Sequence, residues 1–226
     1  MQLTFYGHSA FGLNWNGTKL LFDPFISPNE AAKDVNINTI DADYILLSHG
    51  HADHVADAEA IAKRTGATLV SNFEVVSWFA QKGITHNHPM NTGGAWTFPF
   101  GTVKCVNAIH SSSMPDGSYG GNPMGFVIHN EQQCIYFAGD TALTMDMQLI
   151  PAYRRPDVCI FPVGGNFTMD YADAARAAEM VQCKKVVGVH FDTFGYIKID
   201  HQAAKTYFAD RGIELILPEI GETINI

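Results

Sequence analysis

The feature that most constrains this chain is a cluster of three histidines and one aspartate within six residues. His49, His51, Asp53 and His54 follow directly after the apolar run Tyr44-Ile45-Leu46-Leu47. The run is short and aliphatic, and it therefore predicts a buried β-strand rather than a helix. Side chains at the end of a buried strand have little freedom left to lose, so these four groups are well placed to converge on one site.

The spacing within the cluster indicates a metal site. His49 and His51 are two residues apart, so in an extended backbone they project from the same side, and Asp53 and His54 follow where the chain begins to coil. Imidazoles and carboxylates are ordinary zinc ligands, and four of them on one short loop exceed what one tetrahedral ion accepts from such a segment. A hydrolytic two-metal site needs its ions roughly 3.5–4 Å apart. The alternative is a solvated His-rich loop without metal, which the ligand types, their order and the strand context all disfavour.

Three further residues of metal-ligand type each end a predicted strand. They are His110 after residues 102–109, Asp140 after residues 134–138 and His190 after residues 185–189. Any one of them alone is a weak signal, because a lone histidine at a strand end is more often a packed or surface residue. Together with the 49–54 cluster they form a coherent set of seven candidate ligands.

The order of these residues resembles the metallo-β-lactamase superfamily over nearly the whole chain. The resemblance rests on His-x-His-x-Asp-His at 49–54, then His110, Gly139-Asp140-Thr141 and Val189-His190. The chain length, Tyr6-Gly7-His8-Ser9 and Gly164-Gly165-Asn166-Phe167 are similar to a branch known only as metal-dependent hydrolases, related to lactonases that act on ascorbate 6-phosphate. The resemblance implies a metallo-β-lactamase-like fold, a four-layer αββα sandwich of the α/β (α+β) class.

The resemblance also implies a role for each ligand. His49, His51 and His110 would bind one metal ion, Asp53, His54 and His190 a second, and Asp140 would bridge the two. A metal-bound hydroxide would then attack a small ester, lactone or related substrate. Asp53 is the expected catalytic residue besides being a ligand, because it is the best candidate to orient the attacking water.

Three residues are candidates for support of the site or for substrate contact. Asp23 ends the predicted strand 18–23, where its carboxylate either orients a liganding imidazole or caps the turn beside Pro24. His8 is a substrate contact by the resemblance and otherwise a turn histidine. Asn122 ends the Gly-rich loop 111–123, which follows a ligand strand and lacks the Lys and Ser/Thr of a phosphate-binding P-loop.

Composition limits the classes of function. The 226 residues are 46% hydrophobic, enough to bury the core of one domain spanning residues 1–226. The net charge of −9 argues against nucleic acid as a partner. No apolar stretch is long enough to span a bilayer, and the four scattered cysteines suit free thiols in a reducing compartment, so a cytoplasmic location without membrane contact is expected.

The predicted elements favour two packed sheets flanked by helices over a doubly wound single sheet. An Asn16-Gly17 hairpin joins strands 10–15 and 18–23, helical spacing runs from about residue 55 to 63, and a second helix covers residues 73–81. His86-Asn87-His88 imitates a ligand pair by its spacing, but Pro89 follows and no acidic partner does, so a surface turn is predicted there.

The leading hypothesis is therefore a dinuclear metal-dependent hydrolase acting on a small-molecule substrate. Two divalent ions are expected, with zinc favoured and manganese, iron or nickel also compatible with these ligands. The alternatives are a phosphodiesterase or nuclease of the same superfamily, and a non-catalytic metal-binding protein. The resemblance is also compatible with a homo-oligomer.

Overall fold

Two seven-stranded sheets organise the chain, and each forms a separate unit with three α-helices. The computed structural model describes residues 1–226. Unit 1 contains residues 1–92, 111–123 and 219–226, and unit 2 contains residues 93–110 and 124–218. The prediction of one domain over residues 1–226 stays a prediction.

Unit 1 is built on a mixed sheet whose strand order is β14-β1-β2-β3-β4-β5-β6. Strands β14, β1, β2 and β3 pair antiparallel, whereas β3, β4, β5 and β6 pair parallel. Its elements are β1 (Gln2–Gly7), β2 (Ala10–Trp15), β3 (Thr18–Phe22), β4 (Tyr44–Leu46), α1 (Ala52–Val55), α2 (Ala58–Thr65), β5 (Thr68–Asn72), α3 (Phe73–Gln81), β6 (Asn87–Met90) and β14 (Thr223–Asn225).

Local sequence explains the main elements of unit 1. Asn16 and Gly17 both have positive φ, 51° and 93°, which is the conformation of the predicted two-residue hairpin turn. The apolar core lies between the sheet and helices α2 and α3, and it includes Ile45, Ile61 and Phe79, all nearly inaccessible to solvent. Burial of such side chains stabilises the unit by about 1.5–3 kcal/mol each.

Unit 2 repeats this division between antiparallel and parallel pairing. Its sheet has the order β13-β12-β11-β10-β9-β8-β7, antiparallel from β7 to β10 and parallel from β10 to β13. Its elements are β7 (Ala95–Phe98), β8 (Gly101–Asn107), β9 (Met124–His129), β10 (Cys134–Phe137), α4 (Ile150–Tyr153), β11 (Val158–Pro162), α5 (Tyr171–Met180), β12 (Lys185–Val189), α6 (His201–Ala209) and β13 (Glu214–Ile216).

The burial of β10 and β11 agrees with their position in the interior of the sheet of unit 2. All five residues of β11 and all four of β10 are buried, as expected for strands covered on both faces. Helix α5 buries an alanine-rich face that includes Ala174, Ala177 and Ala178, so it packs closely without long side chains. Asp170 caps it by accepting a hydrogen bond from the Asp173 backbone N–H at 2.8 Å.

Two sequence predictions need correction. The predicted surface turn at His86-Asn87-His88 is wrong, because Asn87–Met90 forms β6, a parallel neighbour of β5. Pro89 is tolerated there since β6 is the edge strand of its sheet. The single helix predicted over residues 55–63 is divided into α1 and α2, because the Asp57 carboxylate turns away to accept hydrogen bonds from the backbone N–H groups of Ile26 and Ser27.

The expectations from composition concerned the state of the cysteines and the length of apolar segments. All four cysteines are buried and lie outside any disulfide bond, as the sequence predicts. None of the helices combines the length and the apolar character that crossing a bilayer requires.

Candidate metal centre

In unit 1 the 49–54 cluster follows β4, between the parallel strands β3 and β5. Asp23, the residue after β3, fixes the start of the cluster. Its carboxylate accepts hydrogen bonds from the Ser48 backbone N–H at 2.8 Å and from the Ser48 hydroxyl at 2.6 Å. The cluster thus begins from a backbone position that a neighbouring strand holds in place.

Asp23 also orients His54. Its Oδ2 atom lies 2.8 Å from His54 Nδ1, and both side chains are fully buried. This contact assigns the proton of the neutral imidazole to Nδ1 and leaves Nε2 as the atom that can bind a metal ion. Burial raises the pKa of Asp23, and the hydrogen bonds from His54 and Ser48 oppose that rise. The predicted orienting contact between Asp23 and a candidate ligand is therefore present within unit 1.

His49 and His51 bring two imidazole nitrogens together. His49 Nε2 lies 2.9 Å from His51 Nδ1, and His49 Nδ1 lies 2.9 Å from the Ser48 hydroxyl. Because that hydroxyl donates its proton to Asp23, it accepts from His49 Nδ1, which leaves the lone pair of His49 on Nε2. Gly50 lets the loop 111–123 pack against the cluster, since a Cβ there would lie 2.5 Å from the Met114 sulfur and 3.2 Å from the Ser113 carbonyl oxygen.

Asp53 and His8 lie beside His54. Asp53 Oδ2 is 3.2 Å from His8 Nε2 and 3.9 Å from His54 Nε2, and the three donor groups lie within 4.8 Å of one another. His8 is buried with φ of 54°, whereas the Asp53 side chain is 31% exposed. His8 thus lies among the candidate donors, and its role as a substrate contact stays a prediction.

The Gly-rich loop 111–123 is tied to the cluster from within unit 1. Ser112 Oγ accepts a hydrogen bond from the Gly50 backbone N–H at 3.1 Å, and Ser111 Oγ lies 3.4 Å from His51 Nε2. Asn72 donates through Nδ2 to the carbonyl oxygens of Gly120 and Asn122, at 2.8 and 3.2 Å. Asn122, a candidate for support of the site or for substrate contact, is held in this loop through its backbone carbonyl.

In unit 2 the other three candidate ligands come together at the carboxyl ends of their strands. Asp140 Oδ2 lies 3.0 Å from His190 Nε2 and 3.7 Å from His110 Nε2. Asp140 and His190 are buried and His110 is partly buried. One carboxylate oxygen therefore lies between two imidazoles, as expected from strand ends that meet at one edge of a sheet.

The loops around Asp140 and His190 are tightly packed. The Thr141 hydroxyl accepts a hydrogen bond from the Ile109 backbone N–H at 3.0 Å, and the Thr141 carbonyl accepts one from the Met169 N–H at 2.9 Å. Gly164 faces the His190 backbone so closely that a Cβ at Gly164 would lie 2.2 Å from the His190 carbonyl oxygen. Only glycine fits there without displacing His190.

Backbone conformation marks several of the predicted residues independently. His8, Asp23 and His190 have positive φ although they are not glycine, and so does Asp192, which binds His201 Nε2 at 2.6 Å. Left-handed conformations at such residues cost of order 1–3 kcal/mol and concentrate at functional sites. This signal is visible only in the structure, because no sequence pattern distinguishes these positions from ordinary turns.

The donor set of each unit fits a divalent metal ion. Two ligands at zinc–ligand distances in a tetrahedral arrangement stand about 3.3–3.6 Å apart. The donor pairs His49–His51, Asp53–His54, Asp140–His190 and Asp140–His110 are separated by 2.9, 3.9, 3.0 and 3.7 Å, all within about 0.4 Å of that range. By contrast, a surface cavity of about 320 Å³ in unit 1, bordered by Thr4, Tyr6 and Lys19, contains none of the predicted site residues.

Comparison with known proteins gives the family. Residues 2–190 match the family model described as the beta-lactamase superfamily domain. A UPF0173 metal-dependent hydrolase of Flavobacterium johnsoniae is 54% identical over the full length of both chains, and one of Christiangramia forsetii is 55% identical, also over both full lengths. The chain belongs to the UPF0173 metal-dependent hydrolase family of the metallo-β-lactamase superfamily.

Solved structures of similar fold agree with this membership of the metallo-β-lactamase superfamily. Igni18, a metallo hydrolase of the archaeon Ignicoccus hospitalis, has a TM-score of 0.89 and is 32% identical over 99% of this chain and 97% of its own. An isothiocyanate hydrolase from Delia radicum gut bacteria has a TM-score of 0.82 at 19% identity, covering 100% and 99%, and so shows likeness of fold alone. The predicted metallo-β-lactamase-like fold is confirmed.

Proposed function

We propose that this protein hydrolyses a small ester, lactone or related small molecule with the help of two divalent metal ions. Zinc is the favoured metal. The proposed ligands are His49, His51 and His110 for one ion, Asp53, His54 and His190 for the other, and Asp140 for both. Membership of a metal-dependent hydrolase family supports the reaction class. The proposed substrate class and the use of two ions go beyond what the relatives' names state.

The observation that carries the proposal is the position of the Asp140 carboxylate. A single oxygen, Oδ2, lies within 3.0 Å of His190 Nε2 and 3.7 Å of His110 Nε2, and the side chain is almost fully buried. A buried carboxylate between two imidazoles needs a compensating positive charge, which either a proton or a metal ion supplies. Divalent ions held by Asp140 together with His110 and His190 would supply that charge.

Bound divalent ions would supply Lewis acidity that activates water and stabilises the charge developing on the substrate. The chain's own residues prepare the donors for that role. Ser48 and Asp23 hold the protons of His49 and His54 on Nδ1, so that both Nε2 atoms are available as ligands. These contacts fix the rings before any ligand binds, and less ordering is then required on binding.

Asp53 is the proposed catalytic residue. Its side chain is 31% exposed, and its Oδ2 atom is 3.2 Å from His8 Nε2. A carboxylate with this partial access to solvent accepts a hydrogen bond from water and thereby orients it. The contact with His8 helps to hold this carboxylate in place.

The test is metal content measured together with hydrolysis of a small panel. The panel contains a lactone, an aryl ester, bis-p-nitrophenyl phosphate and a β-lactam, each assayed before and after chelation. We expect two metal ions per chain and a chelator-sensitive rate on the lactone or the ester. His51→Ala is expected to lose both, whereas His86→Ala, a matched change at an exposed histidine outside the proposed site, keeps both.

Each other result points to a different function. A chelator-sensitive rate confined to bis-p-nitrophenyl phosphate would replace the proposal with a phosphodiesterase or nuclease. One tightly bound ion or none, with no turnover of any compound, would favour a non-catalytic metal-binding protein. A rate that survives complete metal removal would contradict the metal-dependent reaction.

A further inference from the structure

We propose that Phe167 and Tyr196, called here the aromatic pair, bind a planar apolar group of the substrate. The inference rests on the proposed function and adds a substrate class to it. The two rings are in edge-to-face contact, with centroids 6.4 Å apart and planes at 80°. Phe167 is 52% exposed and Tyr196 is 79% exposed. Large apolar side chains exposed side by side are characteristic of binding surfaces.

The backbone segments that carry the aromatic pair are fixed by local contacts. Phe167 lies in a tight turn closed by hydrogen bonds from the Phe167 N–H to the Gly165 carbonyl and from the Gly165 N–H to the Met169 carbonyl, at 2.6 and 3.1 Å. Tyr196 is the middle residue of the 3₁₀ turn Gly195–Ile197, whose last residue is fully buried. An aromatic side chain on a fixed backbone has only two torsions left to order when a ligand binds, which keeps the loss of conformational entropy small.

The aromatic pair is continuous with the candidate metal ligands of unit 2. The loop carrying Phe167 follows β11 and is hydrogen-bonded to Thr141, the residue after Asp140. The loop carrying Tyr196 follows β12 and begins at His190. Each ring therefore belongs to a loop that either contains a candidate ligand or is hydrogen-bonded to the residue next to one, which is where a substrate group next to the scissile bond would lie.

The composition of the two loops specifies the chemistry of the occupant. Residues 164–169 contain no lysine, arginine, histidine, aspartate or glutamate, whereas the loop after β12 also carries Asp192 and Lys198 near Tyr196. Phosphate groups are recognised by arginine, lysine or clustered backbone N–H groups, and Lys198 is the single such side chain in these two loops. Aromatic rings favour other flat apolar groups through edge-to-face and stacked contacts. A phenyl or similar flat apolar group of the substrate fits the aromatic pair.

The test compares substrates that differ only in a phenyl group. The zinc-loaded wild type, the Phe167→Ala/Tyr196→Ala double variant and Trp96→Ala are assayed with γ-butyrolactone and γ-phenyl-γ-butyrolactone, and with methyl acetate and methyl phenylacetate. We expect the ratio of kcat/KM between the phenyl-bearing and the plain substrate to fall roughly tenfold in the double variant. Trp96 is an exposed aromatic residue on the edge strand β7. Trp96→Ala is therefore the matched control and is expected to leave the ratio as in the wild type.

A binding measurement separates this inference from the proposed reaction. Affinities of phenylacetate and acetate for the same three zinc-loaded proteins are measured by calorimetry. A preference for phenylacetate that is lost only in the double variant supports the inference, even where no panel compound is hydrolysed and the proposed function fails. Equal loss of both affinities, or a preference unchanged by the double variant, would overturn it. So would a change of oligomeric state in sedimentation with the preference intact, which would make the aromatic pair a contact between copies of the chain.

Discussion

The Asp23 carboxylate accepts hydrogen bonds from the Ser48 backbone, the Ser48 hydroxyl and His54 Nδ1, and it is completely buried. A buried carboxylate with three donors both positions its neighbours and depends on them. Its loss would therefore affect the candidate ligands His49 and His54 through their orientation, although Asp23 does not itself carry one of the proposed metal bonds.

We expect Asp23→Asn to weaken zinc binding about 10–100-fold, because an amide cannot hold the proton arrangement that orients His54. Competition with a chromophoric chelator measures this. Asp57→Asn is the matched control, since Asp57 is another buried carboxylate of unit 1 that accepts two backbone hydrogen bonds. Similar zinc affinities in the two variants would contradict the orienting role.

Gly164→Ala is expected to destabilise the protein by about 1–3 kcal/mol, the usual range for forcing extra atoms into a packed region. The added Cβ would lie 2.2 Å from the His190 carbonyl oxygen, so the backbone of a candidate ligand has to move. Denaturant unfolding measures the change.

Gly195→Ala is the control for that substitution, because nothing lies within 4 Å of a Cβ at Gly195. Its free energy of unfolding is expected to stay close to that of the wild type. If both variants unfold alike, close packing at Gly164 does not matter for stability.

At this scale the sequence predicts residue types better than it predicts contacts. The seven candidate ligands were identifiable because they end apolar strands or stand at fixed spacing. Ser48, Asn72 and Ser112 were not identified, since a serine or asparagine at a strand end looks like any turn residue. Their contacts depend on segments distant in sequence, such as the 62-residue separation between Gly50 and Ser112.

The Gly-rich loop 111–123 is attached to helix α3 as well as to the metal-ligand cluster. Asp116 Oδ2 accepts a hydrogen bond from the Trp78 indole N–H at 2.7 Å, and Oδ1 accepts from the Ser118 backbone N–H and hydroxyl. These hydrogen bonds lower the pKa of Asp116 to about 2 from 3.8. The loop is thus connected to the helix through a charged group.

A pH-dependent contribution to stability follows from this shift. Because the pKa of Asp116 is lower in the folded state, its contribution is present above pH 3.8 and is lost as pH falls toward about 2. Asp116→Asn is expected to lower Tm at neutral pH, with the difference from wild type shrinking as pH falls through that range. Thermal unfolding across pH measures it, with Asp34→Asn as the charge-matched control. A difference that is constant with pH would count against the assignment.

Most elements were predictable, and the errors have local causes. The strands Ala10–Trp15 and Lys185–Val189 and the helix Phe73–Gln81 have the predicted bounds. The strand β6 was missed because Pro89 normally argues against a strand, and only its edge position makes it acceptable. The break between α1 and α2 depends on hydrogen bonds from Asp57 to a segment about 30 residues earlier, which helical periodicity does not report.

Metal binding should be measurable as an increase in the stability of the folded protein. A ligand that binds only the folded state stabilises it by about 2.7 kcal/mol at one hundred times its Kd. We expect zinc to raise Tm of the wild type and of His86→Ala, and chelation to reverse the rise. His51→Ala is expected to show little response, and a full response there would mean that zinc binds elsewhere.

The fold of the whole chain was predictable because the ligand motif is specific to a family. The motif predicted a metallo-β-lactamase-like architecture, whereas periodicity alone predicted only two sheets flanked by helices. The family is confirmed by relatives of matching length. The substrate was not predictable, because exposed loop residues such as Phe167 and Tyr196 follow no pattern of spacing.

The sheet of unit 1 takes strands from both ends of the chain, since β14 pairs with β1 across more than 200 positions. Such a pairing closes a very long loop and is made late and slowly during folding. During synthesis, β1 emerges before β14 and stays without this outer neighbour until the residues between them have been made. An edge of β1 that waits for β14 exposes unpaired backbone N–H and C=O groups, which are a template for pairing with other nascent chains.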